Sequence, residues 1–447
     1  MVRFPLFVRF LFALLGLSAL TGCVSMEWRG SMLPHFGMKG GESILVSQTS
    51  ESKTALRSVP THWSQFRGPE RDGIAPPQGI ELNWSASPVL RWKVPAGEGH
   101  SSIITFGQSV ITMEQDGPDE LIVARSLDDG KTLWKYALKT RWGDFMSGVG
   151  PRSTPTLFDG KLYALFSDGS LVCLEAGSGK PLWKTKTVGE KHEFPEWGLS
   201  CSPLVWKDLV IVTPGGEQGA VLAFQTGSGK PAWKSAIQGE GVYLSPSALT
   251  LLDTEQLITA VSGKVASLDP GTGETLWESP WKIFLNNAQI VQPLALSKDS
   301  FLLSAGYGKG SERWTLKPGS EGACLIETAW KSKNLKSKFS NPVLKDGFIY
   351  GFNENSFTCL DASDGQLKWR GNKYGYGRVL LAGDKLVILG NTGVLSVVEA
   401  NPEKFVEVYS GQLLGDARCW NGPALVGGYL LARNGTEIAC FDWAKRD

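Results

Sequence analysis

The sequence predicts an all-β protein: an eight-bladed β-propeller of four-stranded antiparallel blades, closed by a strand from near the N-terminus. Three observations predict it. First, a Gly-containing turn leading into a Trp recurs along the chain, in the turns before Trp134, Trp183, Trp233, Trp277 and Trp369. Second, Trp134, Trp183, Trp233 and Trp277 stand 49, 50 and 44 residues apart, a period that signals stacked or ring-closed repeats. Third, each unit reads as four short apolar runs separated by turns such as Asp159-Gly160 and Asp168-Gly169. Asp-Gly accepts the positive φ of a tight hairpin, so the unit is an antiparallel meander.

Taken in order, residues 1–22 read as an export signal. Arg3 and Arg9 precede an apolar run at 10–20 that is too short to span a bilayer, and Thr21 and Gly22 are small. Residues 23–60 are polar and aperiodic and read as a flexible linker. Residues 61–83 form a cap segment, with Trp63 and Phe66 as its anchors. Residues 84–447 are the propeller. Its axis-facing strands are expected at 100–104, 152–157, 201–205, 245–249, 291–296, 341–344, 377–381 and 421–425. The eighth unit stops after three strands, and an orphan strand at 88–93 supplies the fourth and removes an exposed edge. Seven blades is the competing count.

The docking residues Trp92, Trp134, Trp183, Trp233, Trp277, Trp330 and Trp369 are read as structural, each burying a large ring between neighbouring sheets. The fifth and seventh units are degenerate, with Ala329-Trp330 and Val408-Tyr409 in place of the full motif. Cys173, Cys324, Cys359 and Cys440 are assigned to one strand position in four repeats, and Cys201 and Cys419 to another. Equivalent positions in different blades are too far apart for a disulfide, so these are expected to be free thiols.

The 45 basic and 44 acidic side chains leave a charge of +1, with no basic stripe to suggest nucleic acid. The Gly-Lys turns at Gly177 and Gly227 fail as phosphate loops, because Pro follows the Lys and a strand rather than a helix comes next. The four His residues include no zinc-type pair, and no metal site is expected.

The recurring Gly-Ser/Thr-Gly-Lys-x-x-Trp segment, after a Cys-Leu-Glu or Ser-Leu-Asp strand end, resembles the docking motif of the pyrroloquinoline quinone (PQQ) repeat. The resemblance covers residues 84 to 443. That family includes quinoprotein alcohol dehydrogenases and the propeller lipoprotein of the outer-membrane assembly machine. The segment 62–73 resembles the Trp-Arg-Gly-Pro-Arg-Gly motif that precedes such propellers. Leu20-Thr21-Gly22-Cys23 resembles the bacterial lipobox, which implies lipidation of Cys23 and a membrane tether. Val24 after it resembles an outer-membrane address. In the dehydrogenases the resemblance implies a quinone held on a disulfide of adjacent Cys beside calcium; this chain has no Cys-Cys pair and no matching calcium set, so neither PQQ nor calcium is expected.

The loops leading into the axis-facing strands carry the candidate ligand-binding residues. Arg152, Arg378 and Arg418 suit an anionic or carbonyl group, and Trp142, Trp197 and Trp420 suit stacking. His192 with Glu193 is the candidate proton-transfer pair, and Tyr374 belongs to the same rim. Asn286 and Asn287 are placed there too. The expectation is a non-catalytic, exported, monomeric scaffold that binds a protein or peptide through a propeller face; the alternatives are a PQQ-type oxidoreductase and a carbohydrate or small-molecule binder using the channel.

Overall fold

The computed structural model describes residues 24–27, 35–38, 62–217, 219–239, 243–284, 288–319 and 324–445. The signal segment, Cys23, and the rim residues Asn286 and Asn287 lie outside the described residues. Within the linker, Val24–Glu27 pairs antiparallel with His35–Met38.

The second blade shows how the sequence builds the repeat. Thr156–Phe158 turns into Lys161–Leu165 through Asp159 and Gly160, whose φ values of 47° and 67° are those of a tight hairpin. Ser170–Glu175 follows, apolar and buried on both faces, and Pro181–Lys186 ends the blade with alternate residues exposed. Eight such four-stranded sheets form the ring, and no helix occurs among the described residues.

The strands at the axis are Ile104–Phe106, Thr156–Phe158, Leu204–Trp206, Ser247–Leu251, Leu294–Ser297, Val343–Lys345, Arg378–Ala382 and Ala424–Val426. Each starts one to four residues later than the spacing predicted. The reason is a lateral belt of hydrogen bonds that claims the preceding residues. Gly422 N–H donates to Ser102 Oγ, Ser102 N–H to Thr154 Oγ1, Thr154 N–H to Ser202 Oγ and Ser202 N–H to Ser245 Oγ, all at 2.9–3.0 Å. Farther round, Gln292 N–H donates to Asn341 Oδ1 at 2.6 Å. Pro follows Thr154, Ser202, Ser245, Gln292, Asn341 and Gly422, and Pro tolerates only the first position of such a strand.

Val89–Pro95 pairs with Glu437–Asp442 and completes the eighth blade, with Trp92 opposite Cys440. Its indole N–H donates to Leu127 O of the first blade at 2.7 Å, which closes the ring. The same bond recurs from Trp183 to Thr226 O, Trp233 to Pro270 O, Trp330 to Ala362 O and Trp369 to Asn401 O. Trp277 departs from the pattern. Its N–H donates to Gln256 Oε1 within its own blade. A buried clasp reinforces the closure: Glu114 bonds Arg125 at 2.5 and 2.9 Å, and Arg433 reaches from the eighth blade to Met113 O and Gly97 O.

All six described cysteines are free. One sequence assignment is corrected: Cys173, Cys359 and Cys440 share the third strand of their blades, but Cys324 opens the fourth strand, Cys324–Ser332, of the fifth. The third strand there, Gly310–Pro318, is long enough to shift the repeat by one strand relative to a count of apolar runs.

Residues 62–83 lie against one end of the channel and bond six blades. Trp63 exchanges hydrogen bonds with Thr105, Ser64 O accepts from Leu157 N–H, and Gly73 and Ala75 pair with Leu381. Arg71 donates to Ser202 O and Pro203 O, Arg67 to Pro342 O, and Gln78 to Leu425 O. The guanidiniums are buried, which lowers their pKa to about 9 for Arg71 and about 10 for Arg67, and both stay cationic while satisfying orphan carbonyls.

Candidate binding site

With one end covered, the channel becomes a blind cavity of about 140 Å³ opening on the opposite face. Phe66 of the cap segment contributes to its floor, with Ser102, Ser202, Ser245 and Asn341 of the belt around it. Toward the mouth stand Trp197, Tyr243, Tyr307, Phe339 and Trp420, with His100, Arg152 and Arg378 among them. Trp197 stacks on Tyr307 at 6.4 Å and lies 5.0 Å from Tyr243. Trp420 is 7% exposed and packs between His100 and Phe339, at 5.2 and 5.0 Å. Lys338 lies over Tyr307, Phe339 and Tyr376 at 4.6, 5.6 and 5.0 Å, and burial lowers its pKa.

The arginines are held in different ways. Arg152 bonds Asp144 at 2.6 Å and also the Gly148 and Gly150 carbonyls, all within the short hairpin of Gly143–Asp144 with Gly148–Val149. Arg418 donates to Met146 O and lies 4.6 Å over the Trp420 ring. Arg378 is partly buried, desolvation brings its pKa down to about 10, and its buried Nη1 has no hydrogen-bond partner. Three guanidiniums also act on His100. Burial first, then Arg152, Arg418 and Arg378, lowers its pKa to about 3 against a bond to Ser147 O. The ring is therefore neutral at physiological pH. Its Nε2 lies 2.7 Å from that carbonyl, which can only accept, so Nε2 carries the proton and Nδ1 presents a lone pair.

Of the rim residues expected from sequence, the structure brings Arg152, Trp197, Arg378 and Trp420 into one cavity, with Arg418 behind Trp420. It does not bring the others there. Trp142 packs on Gly198 and on Phe194 at 5.9 Å. Tyr374 is buried between blades, its hydroxyl donating to Glu407 at 2.7 Å. His192 and Glu193 line a separate recess over the third blade with Lys191 and Lys234; Glu193 is exposed, and burial lowers the His192 pKa. Sequence reasoning missed His100, Tyr243, Tyr307, Phe339 and Lys338. Tyr307 rides on the turn between Ser300–Ala305 and Gly310–Pro318, so some hairpin turns reach the mouth as well as the loops between blades.

Among the described residues no carboxylate, thiol or Cys pair lines the cavity, and no three His, Cys, Asp or Glu side chains cluster as metal ligands. Calcium takes oxygen ligands that ordinarily include carboxylates, so this lining does not match a calcium-quinone centre.

Ring closure by an early strand and a Trp at seven of the eight blade junctions mark a PQQ-like propeller. The chain belongs to the family described as "Outer membrane protein assembly factor BamB", whose model matches residues 118–371, more than half of the chain. Among solved structures, BamB from Moraxella catarrhalis is 13% identical with a TM-score of 0.57, covering 79% of this chain and 100% of that one. The quinohemoprotein alcohol dehydrogenase from Comamonas testosteroni is 11% identical with a TM-score of 0.60, covering 86% and 81%. The computationally designed Ika8 protein is 15% identical with a TM-score of 0.55, covering 80% and 100%. At these identities the likeness is one of fold. No curated protein matches the chain.

Proposed function

We propose that this protein is a non-catalytic, envelope-facing scaffold that binds a protein or peptide on the open face of the propeller. The observation that carries the reading is the make-up of the blind cavity: aromatic rings and cations converge there without a carboxylate or thiol. That is equipment for recognition, since the imidazole base in the cavity, His100, is held at a pKa of about 3, far below the range that proton abstraction at neutral pH needs. His192 and Glu193, the pair best suited to such chemistry, stand in another recess. The family description, an outer-membrane assembly factor, supports a protein partner and a periplasmic address. Lipidation at Cys23 belongs to the same proposal and would tether the propeller to the outer membrane, with no cofactor bound.

The test uses the full chain in its native host. Co-purification should retain an envelope protein, and Trp197→Ala with Phe339→Ala should release it while the melting temperature stays within a few degrees. Mass spectrometry of the mature N-terminus should find a diacylglyceryl Cys23. A raised melting temperature with PQQ and calcium, together with dye-coupled alcohol oxidation, would overturn the scaffold reading in favour of a quinoprotein enzyme.

A further inference from the structure

The belt around the channel has one blade out of step. In register with Leu344, Leu381 and Leu425, the belt position three residues earlier is Asn341 in the sixth blade, Arg378 in the seventh and Gly422 in the eighth. The remaining blades carry Ser102, Thr154, Ser202, Ser245 and Gln292 there. Seven blades thus use a small or neutral polar residue, and one uses a long cation. Arg378 makes no belt hydrogen bond. Its guanidinium lines the cavity, and Nη1 is buried without an acceptor.

Two further atoms on the same wall lack partners. The Trp420 indole Nε1, a donor only, is buried and unsatisfied, and so is His100 Nδ1, the acceptor left by the tautomer described above. Stranded buried donors cost free energy, and a stranded buried cation costs more. Asp144, the carboxylate bonded in this cluster, is taken up by Arg152. Glu120, which also acts on Arg152, accepts from Ser167 N–H, and burial raises its pKa. The unmet demand is therefore for a negatively charged acceptor. Two single N–H donors suit the two oxygens of a carboxylate better than the three of a phosphate, and the aromatic wall of Trp197, Tyr243, Tyr307 and Phe339 suits a flat or apolar stem.

We propose that the cavity is a carboxylate-binding site in which Arg378 and Trp420 grip the anion and the aromatic wall receives an attached apolar group. His100 Nδ1 accepts from a neighbouring N–H or O–H of the same ligand. A free aromatic or acylated amino acid and the C-terminal residue of a peptide share this chemistry. The inference rests on the scaffold reading for its biological sense but not for its test.

The test is calorimetric titration of the full chain with N-acetyl-phenylalanine, with its amide, and with hexapeptides ending in Phe as the free acid or the amide. Both acids should bind and both amides should bind at least about tenfold more weakly, the 1.4 kcal/mol that one lost charge-assisted hydrogen bond readily exceeds. Tighter binding of the hexapeptide acid assigns the source to a chain end; tighter binding of the amino acid assigns it to a small molecule. Arg378→Met should abolish the acid preference while leaving the free protein as stable or more so, because a partly buried guanidinium with an unpartnered Nη1 is removed. Trp420→Phe keeps the ring, loses the donor and should weaken the acids alone. Equal affinity for acid and amide, no binding at millimolar acid, or an acid preference surviving in folded Arg378→Met would each overturn the assignment. If partner retention survives while acid and amide behave alike, this inference fails and the scaffold reading stands.

Discussion

At the residue scale, buried charge sets both the cohesion of the closure and its response to acid. Burial raises the Glu114 carboxyl pKa, but bonds from Arg125 and Thr112 and the field of Arg433 outweigh this and leave it at about 2. A carboxylate depressed in the fold stabilises it above its unfolded pKa and loses that contribution as pH falls from about 4.5 toward 2. His100 acts earlier. Its neutral form is favoured in the fold, so its contribution is complete above about 6.5 and declines as pH falls toward 3. Melting temperature should thus fall with pH in two stages, and His100→Gln should flatten the stage between pH 6.5 and 5. Glu114→Gln should destabilise the protein at pH 7 by about 3–5 kcal/mol, the cost of breaking a buried pair, measured by denaturant unfolding. Sequence could nominate Arg378, Arg152 and Trp420, because each sits at or just before an axis strand. Trp142 and Tyr374 look equivalent in sequence, yet one packs on the next loop and the other between blades. Which way a loop folds over a mouth depends on contacts that no local pattern encodes.

At the scale of the element, the Gly turn and the preceding blade's Trp form one unit of construction. Gly179 has φ of +71° and lies on the face of Trp134, so a methyl group added there would overlap the ring. Gly160 has nearly the same φ, +67°, with open space around it. Gly179→Ala should therefore cost clearly more stability than Gly160→Ala, whose penalty is about 1–2 kcal/mol for the left-handed backbone alone. Equal melting temperatures for the two variants would remove the stacking account. The Trp period made this element readable in the sequence. The belt was not read from it, although polar-Pro dipeptides at Thr154, Ser202, Ser245, Gln292 and Asn341, with Gly422-Pro423, carry its trace. Their spacing is hidden by variable loop lengths, and the bonds they make run to the next blade rather than along the strand.

For the whole molecule, the cap segment ties together the first, second, third, sixth, seventh and eighth blades at one end of the channel. Trp63→Ala should lower the melting temperature and speed amide exchange at Thr105, Leu157 and Leu381, which sit beside or bond to the cap, more than at the outer strands. Uniform exchange acceleration would show instead that the cap merely adds area. Blade count and closure were legible because a missing strand at one terminus matched a spare strand at the other.

That match has a consequence for synthesis. The eighth blade is made of Val89–Pro95 and residues more than three hundred positions later, Ala424–Val426, Tyr429–Arg433 and Glu437–Asp442. A nascent chain emerging from its N-terminus holds the early strand, with Trp92, unpaired until Glu437–Asp442 has been made. Intermediate blades can stack as they appear, but the circle cannot lock before residues 437–442 emerge, and any product truncated ahead of them carries an unprotected sticky end.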